Sequence, residues 1–286
     1  MKVFIKQVHA KAVEYQILRK ACDYITPYPY LRCVSGDKLM SVVSPIHGRS
    51  FVIANINNRY VVSKGNGLSY SQYNFLNTHE FGDDTWGLLL EQDAVRDFEF
   101  GREVNELGIK TNKMEYVLKL SQQIQLWNGH IISPVLLQYD VECPYRISDA
   151  PFMTRKQIMD EVKKWGAMAI GKDYCSNYLV AADILVSNLR VLHDNEVLHN
   201  AIHAQNYTWA LELLDFELSC SPSYPYSQED DRRHVKSLFA RELIQTYEVI
   251  NYIAGVLQEP VDYQKIDDIY AKYGFDFCTF NIRKDN

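Results

Sequence analysis

The 286-residue chain contains no apolar run approaching the roughly 20 residues that a membrane span requires. Its opening stretch, MKVFIKQVHAKAVEYQ, scatters charge where a secretory signal would carry an apolar core. The expectation is therefore a cytoplasmic protein with no membrane partner. The six cysteines, at positions 22, 33, 143, 175, 220 and 278, include no C-x-x-C pair. That spacing speaks against a disulfide scaffold or a structural zinc site and leaves reduced thiols as the expectation. Positive charge is not in excess either: 30 Lys+Arg stand against 36 Asp+Glu, a formal charge of -6. A nucleic-acid partner is not expected, because phosphate-backbone contacts need a basic surface. A single bound nucleotide is compatible with this balance, since one loop and one metal ion neutralise it locally. Both the Walker A loop and the dinucleotide fingerprint G-x-G-x-x-G are missing.

What the chain has is 47% hydrophobic residues and 20 tyrosines, enough for one large domain or two medium ones. The first half reads as strand-rich. Residues 51–56 and 59–64 read as strands joined at Asn57-Asn58, a dipeptide suited to a hairpin turn. Val8 to Leu18 is expected to be a first helix, and residues 71–87 a long polar loop. Glu91 to Leu107 has helical periodicity and ends at Gly108. Strands are expected over 113–120 and 130–138, and Pro144 with Ser148–Pro151 marks a crossing point. Thr154 caps a helix reaching Trp165, a longer apolar helix covers 174–191, and a further one from about Arg233 is stopped by Pro260. A last helix runs over 263–273. The division is thus an N-terminal lobe, 1–142, and a helical lobe, 143–286, with a cleft between them as the natural ligand site.

Three groups of residues carry chemistry. Leu211–Leu214 reads as a strand ending at Asp215, close in sequence to Asn206. An amide oxygen and a carboxylate brought together there are hard ligands suited to magnesium carrying phosphates, and Glu217 points the same way if the strand continues. A solvated hairpin tip would show the same residue types. Lys64 closes a strand before Gly65-Asn66-Gly67-Leu68-Ser69. There the lysine reaches phosphate oxygens while Gly65, Gly67 and Ser69 let backbone amides approach. An ordinary hairpin with an exposed lysine is the alternative. Third, the helix with Arg96, Asp97, Glu99 and Glu103 can supply a carboxylate that orients such a lysine; acidic residues also simply cover helix surfaces.

The order of these elements resembles the protein-kinase-like superfamily, most closely the selenoprotein O-like (SelO) AMP-transferases, with HipA-like and aminoglycoside-phosphotransferase-like kinases more distant. Residues 64–71, KGNGLSYS, are similar to K-G-x-G-x-T-P-[FY]-S. Arg96-Asp97-Phe98 followed by Leu107-Gly108-Ile109-Lys110-Thr111 resembles R-E-F…L-G-[IV]-P-T. HNAIHAQN followed by LLDFE resembles H-G-V-x-N-T-D-N and I-D-Y-G. The resemblance implies an α+β, two-lobed kinase-like fold and ATP with Mg2+ as cofactors. It also implies phosphoryl or adenylyl transfer to a protein, peptide or small molecule. Lys64 would contact phosphates and Asp97 would pair with it. Asn206 and Asp215 would hold the metal. The catalytic aspartate falls on Gln205, or on Ala201 in the phosphotransferase pattern, and neither accepts a proton as a carboxylate does. Either positioning and metal electrostatics suffice, with Asp215 central, or His203 within the loop serves as base. Otherwise the chain is a nucleotide-binding or protein-interaction module without turnover. His199 is expected to support the loop by hydrogen bonding.

Overall fold

The computed structural model describes residues 5–23, 25–32, 37–42, 49–67, 87–125, 129–166, 174–221, 224 and 235–276. Ser69 and all of the loop expected over 71–87 except Gly87 lie outside them. The N-terminal region is built from β1 (Ile5–Ala12), β2 (Tyr15–Lys20), β3 (Tyr30–Arg32), β4 (Asp37–Val42), β5 (Ser50–Ile56) and β6 (Arg59–Lys64). They are followed by helix α1 (Glu91–Glu106), then β7 (Lys113–Leu120), β8 (Ile124–Gln125), β9 (Ile131–Ile132) and β10 (Val135–Val141). Helices dominate thereafter: α2 (Arg155–Trp165), α3 (Asn177–Asp194), α4 (Val235–Leu257) and α5 (Tyr263–Lys272). A strand-rich region followed by a helical one gives the two-lobed, α+β, kinase-like architecture.

The main sheet is antiparallel with order β2-β7-β10-β6-β5. Its centre is β10, VLLQYDV, buried along its whole length, as a strand covered on both faces must be. One face carries Val62, Val117, Val135 and Leu137 against Ala94, Phe98 and Val104 of α1. The other carries Val61, Tyr116, Leu118 and Leu136 against Cys22, Ile25 and Leu31. Two polar groups in that second layer are satisfied by backbone: the Tyr116 hydroxyl donates to Ile25 O at 2.6 Å, and Gln138 brackets Tyr28 through its N–H and carbonyl.

Asn57 and Asn58 both have positive φ (53° and 63°), the geometry of a two-residue hairpin between β5 and β6. Thr154 forms a capping box with Gln157 and starts α2. The helix expected over Val8–Leu18 is instead two strands. β1 pairs with β3 and β4, and β2 pairs with β7, so partners far along the chain override an ambiguous local pattern.

In the helical region Trp165 stacks on Trp209 at 5.9 Å, and its indole N–H donates to Trp209 O. Glu259, just past α4, accepts from the Tyr178 amide and the Asn177 side chain, so its carboxylate closes the N-terminus of α3. The larger apolar cluster is continuous from the α1 face of the sheet to Leu185 and Leu189 of α3 and Ile250 and Ile253 of α4. One core therefore holds the two regions together across the site.

Candidate functional site

Lys64 is the last residue of β6, pairs with Leu137 on the central strand, and is only 1% exposed. Its ammonium is 2.6 Å from Asp97 on α1, 2.6 Å from Asp215 and 2.7 Å from Glu217. Burial alone would lower its pKa, but the fields of Asp215, Asp97 and Glu217 outweigh that and hold it above its ordinary value. Asp97 also accepts from the Phe216 amide at 3.0 Å, tying α1 to the backbone beside Asp215. Burial and the neighbouring carboxylates push Asp97 up, while Lys64 pulls it back. Asp215 behaves in the opposite sense. Burial would raise it, yet Lys64, Arg49 and Arg146 hold it well below the usual carboxylate range.

Two cations that no sequence motif marked complete the cluster. Arg49, just before β5, is 2.8 Å from Glu217 and 3.7 Å from Asp215. Arg146 follows β10 at the crossing point and is buried. Its Nη1 donates to Gln205 O at 2.7 Å and to Asn206 Oδ1 at 3.4 Å, and lies 3.9 Å from Asp215 Oδ2. Three carboxylates, Asp97, Asp215 and Glu217, thus face three cations, Lys64, Arg49 and Arg146. Carboxylate oxygens of the first three lie within 4.8 Å of one another, a spacing that suits a shared divalent cation. The donor set fits the ion chemically, but in the free protein the Lys64 ammonium already contacts all three acids.

The strand expected over Leu211–Leu214 is not formed. Leu211 (φ 57°) and Asp215 (φ 70°) are left-handed and bracket the segment, so only single bridges remain, from Leu213 to Thr111 and to Tyr207. Aspartate tolerates that region better than most residues, and the turn brings Asp215 and Glu217 onto the same ammonium without a strand. Asn206 sits in a 3-10 turn, buried, with its amide donating to Ala201 O. It reaches Asp215 through Arg146 rather than directly.

The glycine turn also differs from expectation. Gly65 N donates to Arg49 O at 2.9 Å and Gly67 N to Gly87 O at 3.2 Å, so these amides are consumed within the protein and do not form an open phosphate cradle. Gly65 (φ 91°) is glycine for a packing reason: a Cβ there would lie 2.6 Å from Val135 O.

His199 is wholly buried. Its Nδ1 accepts from the Ala201 amide at 3.3 Å, which leaves Nε2–H to donate to Leu214 O at 2.8 Å. Phe216 packs edge-on against the ring, and burial lowers its pKa. The imidazole is a neutral brace between the two loops. His203 is exposed on one side; desolvation lowers its pKa against the field of Asp215, favouring a neutral ring near pH 7.

The fold has a kinase-like, two-lobed architecture, with a lysine–carboxylate cluster between sheet and loop. No protein-family model matches the chain, and neither does any curated protein sequence. Among solved structures it is similar to the kinase domain of a Toxoplasma gondii specific rhoptry antigen. Identity is 10%, the TM-score is 0.37, and the match covers 88% of this chain and 72% of that one. The kinase-like description rests on the element order and the sheet, not on a likeness of that size.

Proposed function

We propose that the chain binds ATP at Lys64 and transfers its phosphoryl or adenylyl group to a hydroxyl of a protein, peptide or small molecule. The observation that carries this reading is the buried Lys64 ammonium, held at once by a carboxylate from α1 and by Asp215 and Glu217 from the loop region. A lysine so placed exchanges carboxylate for phosphate oxygens when a nucleotide enters, with Arg49 beside it as a second donor. In this reading residues 1–142 bind the phosphates and residues 143–286 bear the metal loop. Asp215, with Asn206 and Glu217, would hold magnesium, which would supply charge neutralisation for the phosphates. The acceptor oxygen attacks the γ-phosphorus and releases ADP, or attacks the α-phosphorus and releases diphosphate. Its proton passes to neutral His203.

The test is mass spectrometry of acceptor proteins and peptides after incubation with ATP and magnesium, since phosphate and AMP add different masses. D215A is expected to abolish the modification. Full activity in folded D215A protein would overturn the assignment of Asp215.

A second reading, nucleotide binding without turnover, is favoured by one specific observation. Gln205, at the position of the catalytic aspartate, has its carbonyl bound by Arg146, and Ala201 offers no side-chain base. Here ATP raises the melting temperature and no product mass appears on any acceptor.

A further inference from the structure

The two carboxylate oxygens of Asp215 face different cations. Oδ1 meets Lys64 at 2.6 Å and Arg49 at 3.7 Å, whereas Oδ2 faces Arg146 at 3.9 Å. The same Nη1 of Arg146 also lies 3.4 Å from Asn206 Oδ1. One guanidinium nitrogen thus stands by two of the oxygens that the proposed function gives to a metal. It is buried and fixed from behind: Nη1 also donates to Gln205 O, and the Arg146 amide donates to Asp149 at 2.8 Å.

We infer that Arg146 is a built-in counter-cation that keeps Asn206 and Asp215 from holding a divalent ion while the nucleotide is absent. The inference rests on the proposed assignment of those two residues as metal ligands. A doubly charged ion entering between them would sit against a fixed positive group in a low-dielectric site, and that repulsion exceeds what two oxygens return. Added phosphates change the balance, because their negative charge gives Arg146 another partner. Arg146 is therefore a positioning residue that makes metal entry depend on nucleotide entry.

The experiment uses Mn2+ alone as probe, titrated by calorimetry and by the electron paramagnetic resonance of the free ion, on the nucleotide-free full chain. The wild-type protein is expected to show no stoichiometric Mn2+ site. Arg146→Gln is expected to gain one with at least tenfold tighter affinity, lost again in R146Q/D215N. Arg146→Lys, which keeps the charge, is expected to resemble wild type. A wild-type Mn2+ site that D215N abolishes would overturn the inference without any Arg146 variant needing to fold. So would a folded R146Q, by circular dichroism, whose Mn2+ affinity is unchanged. Because no nucleotide is present, either result stands apart from whether the chain binds or transfers ATP.

Discussion

Two acidic clusters flank the central strand, and they solve the same electrostatic problem differently. Around Lys64, three carboxylates meet three cations. On the opposite face of the sheet, Glu115, Asp140, Glu142 and Glu212 gather near Arg59 and Lys110. There the described cations are fewer than the acids. Both carboxyl oxygens of Glu115 are buried without a hydrogen-bond partner, and burial, with Asp140 nearby, pushes its pKa up to about 8. Glu212 accepts from the amides of Glu142 and Cys143 and the hydroxyl of Thr208, yet burial still raises it to about 7. A balanced cluster keeps charge available to exchange with an incoming ligand. An acid-rich one stores protons instead and serves the join between β10 and the helical region.

The comparison breaks most severely at Lys64. K64M leaves Asp97 buried without its counter-ion, and the expected loss is about 3–5 kcal/mol by chemical denaturation; under the proposed function, any ATP-induced stabilisation is lost as well. Gly65→Ala is next. It places a Cβ against Val135 O at positive φ, and about 2–3 kcal/mol of destabilisation is expected without any change in the cluster's charge.

The pH response separates the two clusters by sign. In the folded chain Glu115 and Glu212 keep protons that the unfolded chain has lost. Their contribution to stability is present below the ordinary carboxylate range and is lost as pH rises toward about 7 for Glu212 and about 8 for Glu115. Asp215 is depressed, so its contribution is present above the ordinary range and is lost as pH falls. E115Q should flatten the fall of unfolding free energy on the alkaline side, by about 1–3 kcal/mol where Glu115 would ionise. D215N should instead flatten the acid side. An unchanged alkaline limb in E115Q would remove Glu115 from the account. The smallest effect belongs to the exposed pair Lys163–Asp160 on α2, where K163A should change stability by at most about 0.5 kcal/mol.

Much of the fold was legible because its signals are local. β7 and α2 occupy the spans read from periodicity and capping, and Asn57-Asn58 forms the turn its residue types favour. Strands β1 and β2 were not legible, since a short mixed segment takes its state from partners such as Leu120 and Val42. Of the site, Lys64, Asp97 and Asp215 could be named from their order along the chain, and Glu217 from its place two residues past Asp215, although the strand assumed there is not formed. Arg49 and Arg146 could not: a lone arginine before a strand or after one carries no pattern.

The sequence by itself determined which residues cap, turn and alternate, and so where most helices and inner strands lie, because those interactions close within a few residues. Only the tertiary structure decided that Lys64 lies against a carboxylate 151 positions away, and that Arg49 reaches one 168 positions away. It also decided that Arg146 stands by both Asn206 and Asp215. Ion pairs of that kind depend on where the chain folds back, and the backbone at Asp215 adopts its left-handed turn only within that packed setting.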